Sequence, residues 1–140
     1  MAETTTLKRP KTAHKLAVAS KKEAKYVPGR RAFFKYRDLG VTEATSGRMR
    51  AQVTSTTQPM ERATGWHYHT CDMQFVYMLK GWADLEFAGG KKLRLEAGDS
   101  VMIPGGLPHQ EVRTSDDFEI LEVSTPGEIG TVPCDKPAAG

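Results

Sequence analysis

Three of the chain's four histidines lie in two short stretches of the sequence. One residue separates His67 from His69, and His109 follows later in the chain. Side chains at positions i and i+2 of a β-strand point to the same face, so His67 and His69 are expected to project together. Two imidazoles from one strand and a third from a later strand can supply three ligands to a metal ion. The spacing therefore predicts a metal site.

The first stretch resembles the first sequence motif of the cupin family. That motif reads His-x-His, then a glutamate, then a glycine, and here His67 and His69 are followed by Gln74 and Gly81. Two departures are visible. Gln74 stands in place of the acidic ligand, and Glu61 stands where the motif begins with glycine. The resemblance implies that Gln74 is a weak fourth metal ligand or a hydrogen-bond donor beside the metal.

The second stretch resembles the second cupin motif, which is matched by Gly98, Pro104, Gly106 and His109. Arg113 stands where asparagine is usual. The resemblance runs over residues 48–125 and implies an all-β fold, a cupin-type jelly-roll β-barrel of two antiparallel sheets with a cavity around the ligands. It leaves the reaction open, because cupins include oxygenases, isomerases, decarboxylases and binding proteins.

Gln74 changes the charge of the predicted site. An amide coordinates weakly through its oxygen and neutralises no charge, so three imidazoles and an amide leave a divalent ion with its full charge. Such a centre favours anionic ligands such as enolates or carboxylates. We expect one divalent transition metal per chain, and the spacing does not decide among Fe, Zn, Ni, Cu and Mn. The alternative is a remnant of the fold that binds nothing.

The usual glutamate is also the obvious general base, and its absence directs attention to other polar side chains. Strand alternation from His109 places Glu111 and Arg113 on the same face. We therefore predict Glu111 as an auxiliary base or ligand-orienting group, with Arg113 available to pair with it or with a substrate carboxylate. A Glu111–Arg113 pair at the barrel mouth is the structural alternative. Arg48 and Arg50 also share a face of an early strand and could reach the cavity, although we interpret them as solvated edge positions.

Three functions from different classes are compatible with these residues. The first is a metal-dependent enzyme resembling a non-haem dioxygenase, acting on a small chelating or enolisable substrate. The second is a metal-dependent isomerase or lyase that polarises a carbonyl without dioxygen. The third is a non-catalytic module that binds or senses a small anion.

Charge is distributed unevenly along the chain. Its length of 140 residues is typical of one domain. Residues 1–36 carry ten basic and two acidic side chains, a net charge of +8, and residues 37–140 carry ten basic and fifteen acidic ones, a net charge of −5. We expect a flexible basic arm over residues 1–25, a barrel domain over 26–128 and a tail over 129–140. The arm has no interleaved aromatics at its start, so we interpret it as solvated and do not expect nucleic acid as a partner.

Composition and segment patterns give three further expectations. No apolar run approaches the length that spans a bilayer, and no signal-peptide core is visible, so we expect a cytoplasmic protein. The two cysteines, Cys71 and Cys134, fit a reducing compartment and free thiols. We also predict a homodimer in which the aromatic segment, residues 33–36, covers the sheet edge of a neighbouring subunit.

Overall fold

The computed structural model describes residues 7–29 and 32–138. Residues 1–6 of the predicted arm and residues 139–140 of the predicted tail lie outside this description. The described residues contain a 3-10 turn (Lys21–Glu23), one short helix α1 (Val41–Ala44) and the following strands: β1 (Tyr26–Pro28), β2 (Phe34–Asp38), β3 (Arg50–Thr56), β4 (His67–His69), β5 (Met73–Lys80), β6 (Trp82–Phe87), β7 (Lys91–Glu96), β8 (Ser100–Pro104), β9 (His109–Thr114), β10 (Glu119–Thr125) and β11 (Thr131–Pro133).

The strands form two antiparallel sheets. The first sheet has the order β1-β2-β3-β10-β5-β8, and the second has the order β11-β4-β9-β6-β7. Some neighbours within the sheets are distant in the sequence, as the pairing of β10 with both β3 and β5 shows. The prediction of an all-β, cupin-type jelly roll of two antiparallel sheets is confirmed.

A core between the two sheets follows from strict alternation along the strands. In β5 the side chains of Gln74, Val76 and Met78 are buried, whereas Tyr77 between them is 39% exposed. Val76 and Met78 pack in one cluster with Leu85 of the opposite sheet. Val76 and Met78 therefore belong to the core, and burying a side chain of this size stabilises the fold by about 1.5–3 kcal/mol.

The aromatic segment lies against its own chain. Phe34 is buried, with its ring centroid 6.1 Å from that of Phe118. Tyr36 lies opposite Thr54 in the pairing of β2 with β3. The segment thus covers an edge of its own sheet, and the expectation that it covers a neighbour's edge is corrected, because β3 would otherwise leave its backbone groups unpaired there. The homodimer itself stays a prediction.

The two ends of the chain differ in how they meet the barrel. Residues 7–20 are exposed, and the Lys15 N–H donates to the Ala44 carbonyl at 2.8 Å. The segment predicted as a tail contains β11, which pairs with β4 and supplies partners for its backbone. Residues 131–133 therefore belong to the second sheet. Within the described ranges, no helix is long and apolar enough to cross a membrane.

Candidate metal centre

The three predicted histidines converge inside the barrel. β4 carries His67 and His69, and His67 lies directly opposite His109 where β4 pairs with β9. The ring centroids are 4.6–5.1 Å apart, and one nitrogen from each ring lies within 4.8 Å of the other two. All three side chains are buried. The arrangement forms a three-histidine group that could hold a divalent metal ion.

A glycine-containing loop brings the third histidine into place. The loop between β8 and β9 includes Gly105 and Gly106, and the Gly106 N–H donates to the His69 carbonyl at 2.9 Å. A Cβ atom added at Gly105 would collide with the Cys71 carbonyl oxygen. Only glycine permits so close an approach of two backbones, so this loop holds His109 in register with β4.

Hydrogen bonds fix the proton position on two of the rings. Nδ1 of His67 lies 2.7 Å from the Gly65 carbonyl oxygen, and Nδ1 of His109 lies 2.9 Å from the Leu107 carbonyl oxygen. A carbonyl can only accept, so each Nδ1 donates its hydrogen and each neutral ring keeps its lone pair on Nε2. Backbone carbonyls commonly orient metal-binding histidines in this way.

His69 is held in its neutral form. Its Nδ1 lies 3.1 Å from the Thr131 hydroxyl oxygen on β11. Burial, followed by the proximity of His109 and His67, lowers the pKa of His69 from 6.5 to about 4. Metal binding requires an unprotonated imidazole, so this ring is ready to bind at neutral pH without first losing a proton.

Gln74 lies in the same interior. Its side chain is buried, and its Nε2 donates to Oε1 of Glu122 at 3.3 Å. Two buried atoms, Oε1 of Gln74 and Nε2 of His67, have no hydrogen-bond partner among the described residues. Buried acceptors without a partner are rare and costly, and a cation is a partner that each of these atoms could bind. The residues present therefore fit a divalent ion.

Glu111 stands beside the histidines. Its Oε2 lies 3.6 Å from Nε2 of His67 and accepts a hydrogen bond from the Thr64 hydroxyl at 2.8 Å. Burial alone would raise the pKa of Glu111, but the adjacent His67 and His109 rings and the hydrogen bond from Thr64 outweigh it, so the pKa is lowered. The side chain is therefore a carboxylate at neutral pH, placed at the edge of the candidate metal position.

Arg113 does not share this position, and the prediction that it does is wrong. In the pairing of β6 with β9, Leu85 lies opposite Glu111 and Asp84 lies opposite Arg113, so Val112 is an extra residue. This β-bulge shifts the alternation and turns Arg113 outward, where its Nη2 is 3.6 Å from Oδ2 of Asp84. A Glu111–Arg113 pair does not form.

A cavity of about 230 Å³ adjoins the histidines and is lined by residues that include His69, Gln74 and Glu111. Arg50 also lines it, so the interpretation of Arg50 as a solvated edge residue is corrected. Arg50 begins β3 and lies on the same face of that strand as Gln52 and Thr54, which also line the cavity. Arg48 lies before β3 and is exposed, as expected.

Glu122 is the site residue that the sequence reasoning missed. Its carboxylate lines the cavity and accepts hydrogen bonds from Gln52 Nε2 at 2.7 Å and from the Thr54 hydroxyl at 2.8 Å. One signal was present in the sequence, because Glu122 lies two residues from both Ile120 and Ser124 and so shares a strand face with these buried residues. A charged residue at an inward position of a strand marks a candidate functional group.

Comparison with known proteins agrees with this geometry. The family described as "Cupin domain" matches residues 53–124, about half of the chain. The chain belongs to the cupin family. A curated relative, the "Uncharacterized protein YjlB" of Bacillus subtilis (strain 168), is 33% identical over 57 residues, which are 39% of this chain and 34% of YjlB. The match thus spans about a third of that relative's length.

Solved structures share the fold of this cupin at low sequence identity. The polyketide cyclase RemF from Streptomyces resistomycificus superposes with a TM-score of 0.68 at 19% identity, covering 88% of this chain and 90% of RemF. KdgF from a Halomonas species superposes with a TM-score of 0.66 at 18% identity, covering 80% of this chain and 94% of KdgF. At this level of identity the likeness concerns the fold.

Proposed function

We propose that this cupin is a metal-dependent enzyme acting on a small chelating or enolisable anion. In this proposal, His67, His69 and His109 are the ligands of one divalent transition metal, and Gln74 adds its amide oxygen as a weak fourth ligand. The observation that carries the proposal is the convergence of three imidazole nitrogens within 4.8 Å, with outward hydrogen bonds that leave the inner nitrogens free to bind in the rings of His67 and His69.

The donor set supports an anionic substrate. Three neutral imidazoles and an amide offset none of the charge of a divalent ion, and such an ion can polarise a carbonyl or stabilise an enolate. Arg50 lines the same cavity and can pair with a substrate carboxylate at a second point. A ligand held by both groups would be oriented before any proton moves.

Proton transfer is the chemistry that the cavity side chains support best, so an isomerase or lyase is our first candidate. Glu111 is a carboxylate next to His67, and the Thr64 hydroxyl fixes its position. A base so placed can remove a proton from a carbon adjacent to a substrate carbonyl and return it elsewhere.

A dioxygenase-like oxidoreductase is the second candidate. It is favoured by the ligand set itself, because imidazoles with no anionic ligand leave open positions that suit non-haem oxygen chemistry. Measurement separates the two candidates. The metal-loaded protein is screened with β-diketones, enediols and thiol carboxylates for oxygen uptake at an electrode and for deuterium incorporation from D2O by NMR.

The outcomes of that screen are distinct. Deuterium incorporation or product formation without oxygen uptake supports the isomerase or lyase, and stoichiometric oxygen uptake supports the dioxygenase-like enzyme. Saturable binding of the anions with neither signal contradicts an enzyme and favours a binding or sensor module. The His69→Ala variant serves as the control that lacks a ligand, and His14→Ala, in the exposed arm, serves as its matched control.

Two further expectations belong to this proposal. A homodimer is supported by an apolar strip on the outer face of β5, where Met73, Phe75, Tyr77 and Leu79 are 38–43% exposed. Light scattering at micromolar concentration tests it, and a monomer contradicts it. A cytoplasmic location is supported by the free thiols of Cys71 and Cys134.

A further inference from the structure

Glu122 is a half-buried carboxylate that accepts hydrogen bonds from three neutral side chains. β10 lies between β3 and β5, so Glu122 lies opposite Gln52 on one side and Val76 on the other. Its Oε2 accepts from Gln52 and Thr54, and its Oε1 accepts from Gln74 at 3.3 Å. These contacts fix the carboxylate in one orientation within the cavity.

The hydrogen bond to Glu122 determines which way the Gln74 amide faces. An ionised carboxylate can only accept, so the NH2 group of Gln74 must be the end that meets Glu122. The two ends of an amide point in different directions, so Oε1 of Gln74 is turned away from Glu122. That oxygen is buried and has no hydrogen-bond partner within the described part of the chain. It is therefore presented to the interior as a free acceptor.

Glu122 has no ion-pair partner in direct contact within the described part of the chain, although Arg50 lines the same cavity. The ion pairs within 4.0 Å found among residues 7–29 and 32–138 do not include it. A carboxylate hydrogen-bonded to a metal ligand can offset part of the charge of a divalent ion, and Glu122 is hydrogen-bonded in this way to Gln74. Residues that hydrogen-bond to a metal ligand without touching the metal commonly govern metal affinity.

We propose that Glu122 is the positioning residue of the metal centre, which orients the amide oxygen of Gln74 toward the metal and supplies through Gln74 the negative charge that a direct glutamate ligand would supply. This role rests on the proposed metal site and extends it. The carboxylate of the family's first motif is thus replaced by a pair of residues, an amide on β5 and an acid on β10.

The first test compares metal affinity among variants by competition with a chromophoric chelator, using Zn(II) and Mn(II) as probes. Glu122→Gln removes the charge and the fixed orientation of Gln74 with almost no change in size. We expect it to weaken binding by about 10- to 100-fold. Glu119→Gln is the matched control, because Glu119 is on the same strand at a position of opposite parity and should bind metal like the wild type.

The second test exchanges the two functional groups. Gln74→Glu alone places two carboxylates next to each other, so repulsion should limit its gain in affinity. In the Glu122→Gln background the same substitution meets an amide donor, and its gain should be larger by about threefold or more, as expected for residues in contact. Equal effects of Gln74→Glu in both backgrounds would overturn the proposal.

The third readout is the visible spectrum of the Co(II)-loaded protein, which reports the ligand set. We expect Glu122→Gln and Gln74→Leu to change the d–d bands in the same way, and Glu119→Gln to leave them unchanged.

A Glu122→Gln protein with wild-type affinity and spectrum overturns the positioning role alone. A wild-type protein that binds no stoichiometric metal overturns the proposed function, and the positioning role with it. If Glu122→Gln does not fold, Glu122→Asp replaces it, and wild-type affinity there is the contradicting result.

Discussion

His67 and His109 face each other across the pairing of β4 with β9, with ring centroids 4.6 Å apart and each Nδ1 bound to a backbone carbonyl oxygen. The two residues are far apart in the sequence, and they meet because they are directly paired where the short strand β4 aligns with β9. Because β4 has only three residues, its alignment with β9 depends on the glycine loop that precedes His109 and on β11 at its other edge. The site is thus built into the second sheet, and the first sheet supplies Gln74 and Glu122.

Glu111→Gln tests the proposed base. The substitution removes the proton acceptor and keeps the size of the side chain, so turnover of an enolisable substrate should fall by about 10²-fold or more. Metal content should be unchanged, since the three histidines remain. Steady-state kinetics together with elemental analysis measure both quantities, and Glu128→Gln, on the exposed surface, is the control. Full activity in Glu111→Gln would make Glu111 a structural residue.

His69 gives the metal-free protein a predicted pH dependence. Its pKa is about 4 in the folded state against 6.5 for an ordinary histidine, so between these values the unfolded chain binds more protons than the folded one. Its contribution to stability is therefore complete above about pH 6.5 and is lost as the pH falls toward 4. Urea unfolding in the presence of a chelator at pH 7.5, 5.5 and 4.5 should show this decrease.

The matched variants for this prediction are His69→Leu and His14→Leu. Loss of the ionisable group in His69→Leu should reduce the pH dependence of the free energy of unfolding between pH 7.5 and 4.5. His14 is exposed in the arm, so its replacement should leave the slope as it is in the wild type. Identical slopes for the wild type and His69→Leu would contradict the burial of His69 as a neutral ring.

Two methionines test the packing between the sheets. Met78 is fully buried in the core, whereas Met102 is 52% exposed on the outer face of β8. Met78→Ala should lower the free energy of unfolding by about 2–5 kcal/mol, because it removes buried apolar atoms and leaves a cavity. Met102→Ala should change it by about 0.5 kcal/mol or less in the metal-free protein. Equal losses in chemical denaturation would contradict the assigned inner face of β5.

The features that sequence reasoning predicted correctly depend on local alternation. The parity of His67 with His69 follows from the two-residue period of a strand. Resemblance to the family motifs then placed His109 with them. None of these conclusions required knowledge of which strands are neighbours in the sheets.

The features that were predicted wrongly or missed depend on pairing between distant strands. The bulge at Val112 exists only because β9 aligns with β6, and it reverses the face of Arg113. The contacts of Glu122 with Gln52 and Gln74 depend on β10 lying between β3 and β5, an arrangement that no local pattern encodes. Likewise, residues 131–133 were predicted to be part of a tail, and their pairing with β4 makes them a strand of the second sheet.

The most direct test of the account is the metal stoichiometry of the protein after reconstitution and gel filtration, measured by elemental analysis. We predict one divalent ion per chain for the wild type and for His14→Ala, and a loss of stoichiometric metal for His67→Ala, His69→Ala and His109→Ala, since two imidazoles and an amide hold a divalent ion poorly. A wild-type protein without stoichiometric metal, or a His109→Ala variant that keeps one ion per chain, would contradict the three-histidine centre.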